Sequence, residues 1–417
     1  MKNNKVCILG LGYIGLPTAA FLASKKIPVL GIDTNEKKVS EIKSCRHFTK
    51  ETGLESLLKY SIEKGFLKVQ KSPEKSDIFI ITVPTPFKKN KNQGIPSPDI
   101  SFIKSAINSI AKLLKKGNLI IIESTSPVGT TEKIAKLLSK LRPDLFFPSG
   151  SKQNKKPDVN IAYCPERVIP GNILKELNEN DRIIGGLTKF CSKKAFEFYK
   201  KFISGSLFLT DSRSAEMSKL VENAYRDINI AYANELSIAC DELNLNVYEI
   251  IKLSNRHPRV NILNPGPGVG GHCIAVDPWF IASSVPKQTP LIQTARQTNE
   301  QKMKWVIKKI NKEIAGIKKK NISISFYGIT YKPNIDDFRE SPALEIAKVF
   351  SKKKNVKCQI IEPNLKFLPK EIKTCNKVEI NSIKKSDIHV LLVGHHQFEK
   401  KIPKNGIIID TQGFWIK

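Results

Sequence analysis

Short apolar runs alternate with amphipathic stretches over about the first 200 residues of the chain, which is the pattern that βαβ units produce. The clearest buried-strand candidates are residues 6–9, 29–32, 77–83 and 119–123. Between the first two, residues 16–24 predict a helix, since Pro17 falls in the first turn, where proline is tolerated. This part of the chain therefore predicts a parallel sheet covered by helices.

The middle of the chain has a different pattern. Between residues 214 and 254, apolar residues recur with the helical period of 3.6. The residues in this pattern are Met217, Leu220, Val221, Ala224, Ile228, Ala231, Leu236, Ala239 and Leu243. We expect one long helical region here, which would be a natural spine between two lobes and a natural dimer contact.

The α/β alternation returns after about residue 301, and it completes the prediction of the fold. Predicted strands cover residues 322–326, 357–361, 388–393 and 407–409, with a helix at 342–350. The fold class is therefore α/β, with two Rossmann-like doubly wound parallel-sheet domains joined by a long central helical dimerisation region. The expected bounds are 1–205 for the first domain, 206–303 for the central region and 304–417 for the last domain.

A glycine pattern follows the first predicted strand. Gly10, Gly12 and Gly15 form Gly-x-Gly-x-x-Gly, and Asp33 ends the next strand. A lone glycine triplet is weak, but the order strand, glycines, helix, strand and acid predicts a dinucleotide site, with the phosphates at the helix N-terminus. The Asp33 carboxylate would accept hydrogen bonds from the ribose and repel a 2′-phosphate, which favours NAD over NADP.

Two loops at the carboxyl ends of predicted strands add candidates for the cofactor site, because α/β folds bind ligands at such ends. The hydroxyls of residues 124–130 would either approach the nicotinamide end or form a capping and turn cluster, and this segment alone does not decide between the two. The complete set of expected cofactor contacts is Gly10, Gly12, Tyr13, Ile14, Gly15, Asp33, Lys38, Thr85 and Thr125.

Residues 266–273 place four glycines around Cys273, and Asp277 follows four residues later. Glycine-rich backbone can approach a ligand closely, and a cysteine there can act as a covalent nucleophile. If a helix begins near the cysteine, Asp277 falls on the same face and could handle protons beside the sulfur. The alternative is a tight turn with a buried, inert cysteine, and the glycine density favours the functional interpretation.

Composition narrows the class of partner. The formal net charge is +30, but the lysines are spread over the whole chain, so we expect neither a nucleic acid nor a membrane partner, only attraction of an anionic substrate. The eight cysteines form no Cys-x-x-Cys pair or Cys/His cluster, which favours a cytoplasmic protein without a metal site. No apolar run approaches the roughly 18 residues of a membrane span.

Six motifs resemble the UDP-sugar dehydrogenase family, and the resemblance covers essentially the whole chain. They are residues 10–15, 124–128, 164–167, 219–223, 266–277 and 332–342. The resemblance implies NAD-dependent oxidation of the C6 alcohol of a UDP-hexose to a carboxylate. Residues 164–171, 255–262 and 273–280 resemble the branch that acts on UDP-N-acetyl-D-mannosamine for surface polysaccharide synthesis. Pro170 stands where UDP-glucose relatives carry a second glutamate, which argues against glucose.

The resemblance also implies a mechanism. Cys273 would add to the intermediate aldehyde, and the thiohemiacetal would be oxidised to a thioester that water hydrolyses. Lys219 would stabilise the oxyanions and Asn223, one helical turn further on, would donate a hydrogen bond. Asp277 would manage protons, and Glu166 would act as acid and base in thioester hydrolysis.

Substrate contacts are implied in the same way, and the family's loop around residue 257 serves the active site across a homodimer. His257 would donate to an acetamido sugar or remain a plain loop histidine, whereas Lys332 and Arg339 suit a diphosphate. The full set of expected substrate contacts is Arg167, Val168, Lys219, Asn223, Arg226, His257, Arg259, Gly270, Tyr331, Lys332 and Arg339. The adjacent His395 and His396 are interpreted as surface residues without a role.

Three alternative functions remain at this point. The first is the same chemistry on UDP-N-acetylglucosamine or UDP-glucose. The second is a two-electron hydroxyacid dehydrogenase, which would not need Cys273 or a complete third lobe. The third is a non-catalytic sensor of NAD or a nucleotide sugar, and the presence of Cys273, Lys219, Asn223 and Asp277 speaks against it.

Overall fold

The computed structural model of the protein describes residues 4–45, 51–88, 94–148, 155–169, 171–382 and 385–415, which fall into two units. The first unit contains the residues up to Val221 together with Trp279–Ser284. The second contains Glu222–Pro278 and Val285–Lys417. The predicted domain bounds at residues 205 and 303 stay predictions.

The strands in the described part of the first unit are β1 (Val6–Leu9), β2 (Val29–Ile32), β3 (Leu67–Gln70), β4 (Ile78–Ile81), β5 (Phe87–Lys88), β6 (Ser97–Pro98), β7 (Leu119–Ile122), β8 (Asn160–Tyr163), β9 (Arg182–Gly186) and β10 (Leu207–Asp211). Eight of them form one sheet in the order β10-β9-β8-β7-β4-β1-β2-β3, and β5 pairs with β6 separately. Within the large sheet β8 and β9 are antiparallel, and the other neighbouring strands are parallel.

Helices cover both faces of this sheet, as a doubly wound arrangement requires. They are α1 (Gly15–Ser24), α2 (Glu36–Lys43), α3 (Leu54–Glu63), α4 (Ser101–Ala111), α5 (Thr130–Leu141), α6 (Ile173–Glu179) and α7 (Lys189–Tyr199). Val6 and Ile8 of β1 join the core packed against α1 and α3, whereas Cys7 and Leu9 join the core with α4 and α5. A fully buried side chain such as Ile8 contributes about 1.5–3 kcal/mol relative to exposure.

The rest of the chain begins with a long helix and ends in a second sheet. These elements are α8 (Ser212–Glu242), α9 (Val247–Ser254), α10 (Asp277–Ser284), α11 (Pro290–Gly316), β11 (Ile322–Tyr327), α12 (Pro342–Ser351), β12 (Val356–Ile361), β13 (Asn376–Lys377), β14 (Ile388–Leu391) and β15 (Ile407–Asp410). The five strands found here among the described residues are all parallel, in the order β13-β12-β11-β14-β15. A large apolar cluster packs on one face with α12, and a smaller one around Tyr327 and Trp415 packs on the other.

The predicted α/β class with parallel sheets is confirmed. The long helical region is confirmed in extent but breaks between α8 and α9, where Asn244 has a left-handed φ of 55°. The Asn246 side chain then caps α9 by accepting from the backbone N–H groups of Tyr248 and Glu249. Across the described ranges, no helix is both long and apolar enough to cross a membrane.

Candidate active site

At two positions of the turn after β1, there is no room for a side chain larger than that of glycine. Gly10 has φ +97°, and a Cβ there would lie 2.8 Å from the carbonyl oxygen of Thr82. A Cβ on Gly15 would lie 1.9 Å from the carbonyl oxygen of Gly10. At Gly12, by contrast, a Cβ would have no described heavy atom within 4 Å, so the backbone is open to a ligand at the start of α1. This geometry fits a dinucleotide pyrophosphate.

Asp33 lies at the carboxyl end of β2, and its carboxylate is already in contact with this turn. It accepts hydrogen bonds from the backbone N–H groups of Leu11 and Asn35, both at 3.0 Å, and from Lys38 Nζ at 2.9 Å. Burial raises the pKa of Asp33, but these donors outweigh it and hold the pKa below the usual value. Asp33 is therefore a fixed anion, and Lys38 is held beside it.

The loops after β4 and β7 hold the two predicted threonines, Thr85 and Thr125, which are both half-buried. The hydroxyl of Ser124 donates to the carbonyl oxygen of Val83 at 2.7 Å, and that of Ser126 to the carbonyl of Ser124 at 2.8 Å. These two hydroxyls therefore form a turn cluster. Tyr13 and Ile14 of the glycine turn are also half-buried.

Glu216 of α8 holds the next part of the β7 loop, and sequence analysis missed it. Its buried carboxylate accepts from the backbone N–H groups of Gly129 and Thr131, at 2.5 and 2.8 Å, and from the Thr131 hydroxyl at 2.7 Å. Burial raises the pKa of Glu216. A buried acid inside an amphipathic pattern is the signal that could have found it.

Glu166 belongs to a buried ionic cluster in the first unit. Arg182 of β9 reaches Glu166 Oε2 at 2.6 Å and Glu123 Oε1 at 3.2 Å, and it lies 4.6 Å over the Tyr199 ring. The Tyr199 hydroxyl donates to Glu123 at 2.7 Å, and Glu166 Oε1 accepts from the backbone N–H of Arg167 at 2.7 Å. Both oxygens of Glu166 are thus oriented by the protein, and neither Arg182 nor Glu123 was predicted as a site residue.

One arginine lies between two carboxylates, so the cluster would carry a net negative charge if both acids were ionised. Burial raises the pKa of Glu123 to about 7, and repulsion from Glu166 adds to the rise while Arg182 opposes it. The cluster therefore favours holding a proton on Glu123 while Glu166 pairs with Arg182.

In the second unit, Cys273 is exposed, so the expectation of a buried cysteine in the alternative interpretation is wrong. The Cys273 carbonyl accepts from the backbone N–H groups of Val276 at 3.0 Å and Asp277 at 2.8 Å, which makes one helical turn leading into α10. Asp277 is 2% exposed, and its Oδ2 accepts from the Asn223 amide at 2.5 Å. The structure therefore brings Asn223 and Asp277 together, one turn from the cysteine.

The glycines before Cys273 allow a close approach to the segment after β11. A Cβ on Gly271, where φ is +82°, would lie 2.8 Å from the Tyr331 ring. A Cβ on Gly270 would lie 2.4 Å from the carbonyl oxygen of Glu340. Burial raises the pKa of Tyr331 to about 12, with smaller contributions from Asp337 and Cys273. Tyr331 therefore remains a neutral hydroxyl beside the cysteine turn.

A buried polar network fixes the start of the cysteine loop. The Gly266 N–H donates to Asn234 Oδ1 at 2.8 Å, and the Asn234 amide donates to Asn299 Oδ1 at 2.8 Å. Asn299 in turn donates to Asp227 at 2.8 Å, as does Arg296 at 2.6 Å. These four side chains connect α8 and α11, and sequence analysis missed them because they are 32 to 72 residues from their partners.

The predicted substrate contacts are spread over several places. In the first unit Arg167 and Val168 are half-buried, and Arg167 donates to the carbonyl of Asp181. Lys219, also half-buried, lies on α8, and Pro170 lies outside the described residues. In the second unit Arg226 of α8 is exposed.

His257 and Arg259 are also exposed, in the segment after α9. His257 Nδ1 accepts from the backbone N–H of Arg259 at 3.3 Å. Lys332 is exposed, and Arg339 makes a bidentate pair with Asp337 and lies within electrostatic range of Cys273. Among the residues that the structure covers, no group of three or more His, Cys, Asp or Glu is arranged to hold a metal ion.

Comparison with known proteins decides the family. The UDP-glucose/GDP-mannose dehydrogenase family matches through its NAD binding domain at residues 4–203, its central domain at 213–301 and its UDP binding domain at 325–417. This chain belongs to the UDP-glucose/GDP-mannose dehydrogenase family. It is an NAD-dependent oxidoreductase, and the predictions of fold class, family and cofactor are confirmed.

Relatives within this family are similar over the whole chain. The UDP-N-acetyl-D-mannosamine dehydrogenase of Escherichia coli (strain K12) is 47% identical, with 100% of both chains covered. The NDP-N-acetyl-D-galactosaminuronic acid dehydrogenase of Ralstonia nicotianae is 46% identical and covers 98% of this chain and 96% of its own. The structure of the UDP-D-ManNAc dehydrogenase of Pyrococcus horikoshii has a TM-score of 0.87 at 36% identity, with 99% of this chain and 96% of that chain covered.

The proton on Glu123 gives this dehydrogenase a testable pH dependence. The folded pKa of about 7 lies above the unfolded value, so the stability contributed by this group is complete below about pH 4.3 and is lost as the pH rises through 7. Glu123→Gln should remove this loss, which we expect to be on the order of 2 kcal/mol. Urea unfolding of both proteins at pH 5 and pH 8 measures the difference. Glu132→Gln, at an exposed pair with Arg213, is the control, and equal pH dependence in all three proteins would refute the protonated cluster.

The close approach at Gly271 predicts a steric effect beyond backbone strain. Gly271→Ala should lower the free energy of unfolding by about 2–3 kcal/mol and slow NADH formation, because the added Cβ meets the Tyr331 ring. Gly117→Ala is a matched control, since Gly117 has φ +87° and no described atom within 4 Å of its Cβ position. The control should lose only about 1 kcal/mol and keep full activity. Equal effects of the two substitutions would show that contact with Tyr331 is unimportant.

Proposed function

We propose that the protein oxidises UDP-N-acetyl-D-mannosamine to UDP-N-acetyl-D-mannosaminuronate, a four-electron reaction that consumes two NAD. The observation that carries the proposal is the exposed Cys273 on a glycine-supported turn, one turn from the paired Asn223 and Asp277. A two-electron alcohol oxidation would not need this cysteine. Similarity over the full chain to a UDP-N-acetyl-D-mannosamine dehydrogenase supports the choice of sugar.

NAD, when bound, accepts one hydride in each of the two oxidations. The residues proposed to hold it are those of the glycine turn, with Asp33 on the adenosine ribose and Lys38, Thr85 and Thr125 nearby. The open backbone at Gly12 and the fixed anion at Asp33 support this assignment. The charge of Asp33 disfavours a 2′-phosphate, in keeping with NAD.

Cys273 supplies the covalent step between the two oxidations. Its sulfur forms a bond to the aldehyde carbon, and the aldehyde oxygen takes a proton to give a thiohemiacetal. Loss of a hydride and a proton converts this adduct to a thioester. Water then adds to the thioester carbon, the carbon–sulfur bond breaks, and the products are the carboxylate and the free thiol. The aldehyde thus stays attached until it is an acid.

The remaining residues stabilise charge and transfer protons in this scheme. Lys219 stabilises the oxyanions, and the Asn223 amide is held in position by its bond to Asp277. Asp277 exchanges protons with the reacting oxygen through water. Glu166 serves as acid and base for the hydrolysis, and its bond to Arg182 supports a fixed orientation for that carboxylate.

Substrate binding is assigned to other residues in and near the same motifs. Lys332 and Arg339 hold the diphosphate, with Tyr331 beside them, and the match to the family's UDP binding domain supports this. The sugar is assigned to Arg167, Val168, Arg226, His257, Arg259 and Gly270. The product supplies a surface polysaccharide, and the reaction takes place in the cytoplasm. The absence of any disulfide among the eight cysteines, all of them described, is in keeping with that compartment.

A second substrate has one specific observation in its favour. The relative named for NDP-N-acetyl-D-galactosaminuronic acid is 46% identical over nearly the whole chain, which lies within the range of 45% to 49% found for the UDP-N-acetyl-D-mannosamine dehydrogenases. A hexosamine of another configuration is therefore the competing substrate class. The same cysteine chemistry would serve both, because C6 is the reacting carbon in each.

The ratio of NADH to product tests the proposed function. With purified protein and NAD, we expect two NADH for each carboxylate formed from UDP-N-acetylmannosamine, with slower turnover of UDP-N-acetylglucosamine, UDP-N-acetylgalactosamine and UDP-glucose. Absorbance gives the NADH, and mass spectrometry gives the product. Two NADH per carboxylate with a different preferred sugar would change the assigned substrate but support the four-electron mechanism. One NADH per sugar would overturn the four-electron scheme.

Substitution of the cysteine isolates the covalent step in the same assay. Cys273→Ser should reduce carboxylate formation at least about 100-fold, because an alcohol is a poor nucleophile at neutral pH. Cys45→Ser, at a partly exposed cysteine of the first unit, is the control and should keep the wild-type rate. Full activity of Cys273→Ser would exclude the thioester.

We also propose that the protein is a homodimer that uses α8. Four exposed apolar residues, Met217, Val221, Tyr225 and Tyr232, recur along this helix at helical spacing and form a stripe. An exposed apolar stripe can pack against the same stripe of a second copy by two-fold symmetry. Each residue then occurs twice in the interface.

Light scattering of a charged variant tests the homodimer. Tyr232→Glu should shift the mass from two chains to one, because the buried charge is introduced twice in a symmetric interface. Phe367→Glu is the control, since Phe367 is 76% exposed and lies far along the chain from α8. A two-chain mass for Tyr232→Glu, or a one-chain mass for the wild type, would contradict this arrangement.

A further inference from the structure

His395 is fully buried, so its interpretation as a surface residue is wrong, whereas the adjacent His396 is exposed. It follows β14, at the edge of the second sheet where the parallel strands end. The buried carboxylate of Glu362, which follows β12, lies 3.1 Å from His395 Nε2. A buried ionisable pair thus stands at the ligand-binding edge of an α/β sheet and is not used by the proposed chemistry.

Hydrogen bonds fix the tautomer of His395. Nδ1 accepts from the backbone N–H of Asn334 at 2.9 Å and also contacts the Asn364 amide at 3.0 Å. Because a backbone N–H only donates, Nδ1 carries no proton, and the ring proton lies on Nε2, where it is donated to Glu362. His395 therefore connects the end of β12 to the segment that follows β11.

Glu362 holds the same segment directly. Its Oε2 accepts from the backbone N–H groups of Ile329 at 2.8 Å and Thr330 at 3.4 Å, and its Oε1 accepts from the backbone N–H of Asn364 at 3.0 Å. Burial raises the pKa of Glu362, but the bond from His395 and these N–H groups outweigh it and hold the pKa below the usual value. The carboxylate is therefore an anion, and both of its oxygens accept hydrogen bonds.

The backbone of Asn334 needs such support. It has φ 63°, a left-handed conformation that costs energy in any residue with a side chain. Its N–H is bound by His395, and its side-chain oxygen accepts from the backbone N–H of His396 at 3.0 Å. Asn334 is thus fastened on both sides to the segment after β14.

Residues 330–341, which we name the nucleotide loop, carry Tyr331, Lys332 and Arg339. We propose that His395, oriented by Glu362, is a positioning residue that holds the nucleotide loop in its UDP-binding conformation by fastening Asn334. The proposal rests on the proposed role of this loop in holding the diphosphate. We therefore expect loss of His395 to weaken binding of the nucleotide without changing the rate of the chemical step.

His389 provides a matched comparison within the same sheet. It is also a buried histidine, on β14, and its Nδ1 contacts the Tyr327 hydroxyl at 2.9 Å. Its Nε2 has no hydrogen-bond partner among the described residues, and the backbone groups of Ser386 and Asn405 that lie near the ring are outside the nucleotide loop. Loss of His389 should therefore cost stability alone, whereas loss of His395 should also change UDP binding.

The experiment compares His395→Leu and His389→Leu in the full-length protein. If the released loop occupies its binding conformation about one-tenth of the time, the Kd for UDP, measured by calorimetry, rises about tenfold in His395→Leu. The KM for the UDP-sugar should rise by the same factor at unchanged kcat, and the Kd for NAD should stay within about twofold. His389→Leu should lower Tm and leave the Kd for UDP unchanged.

Two conservative variants provide a rescue test that remains informative if a leucine variant fails to fold. His395→Asn keeps an acceptor near the position of Nδ1 and should restore most of the UDP affinity. His395→Gln keeps a donor toward Glu362 but not that acceptor, and should stay weak. Equal affinities of these two variants, or equal losses in the two leucine variants, would overturn the positioning role.

The outcome is separable from the proposed reaction. If the wild type binds UDP but oxidises none of the four UDP-sugars, the proposed function fails and the comparison of UDP affinities still decides the role of His395. If the wild type does not bind UDP, the positioning role falls, whichever substrate is oxidised.

Discussion

The conformation of the loops at the candidate sites depends on charged side chains that are buried beneath them. A buried charge is tolerated only when it is paired and hydrogen-bonded, and in this protein the partners are repeatedly loop backbone groups. Glu216 binds the N–H groups of Gly129 and Thr131, and Glu362 binds those of Ile329 and Thr330. Each such acid fixes a loop at the carboxyl end of a strand, where ligands bind in α/β folds.

These pairs act differently from the many exposed ion pairs. Contacts such as Lys5–Glu74 join side chains that are 38% and 54% exposed, and pairs of this kind contribute little to stability. The net charge of +30 is therefore a property of the surface, where it favours approach of an anionic nucleotide sugar. Orientation within the sites comes from the few charges that are buried, with Arg182 between Glu123 and Glu166 as the clearest case.

Sequence patterns predicted the features that depend on neighbouring residues. The strands β1, β2, β4 and β7 follow from short apolar runs, and the turn at Gly10 to Gly15 follows from glycine spacing. The exposure of Cys273 agrees with the functional interpretation of its glycines. The break between α8 and α9 was missed because apolar periodicity continues through it, whereas Asn244 and Asn246 provide a left-handed residue and a cap.

Partners that are distant in sequence could not be predicted from such patterns. Glu123 and Arg182 are 59 residues apart, and Glu362 and His395 are 33 apart, so neither pair leaves a local periodic signal. His395 was misjudged for this reason, since two adjacent polar residues after a strand are typical of a surface turn. Resemblance to a family identifies residues that perform chemistry, because those recur in motifs. The residues that orient them are found through the fold, since a buried polar group has to have a partner wherever the chain provides one.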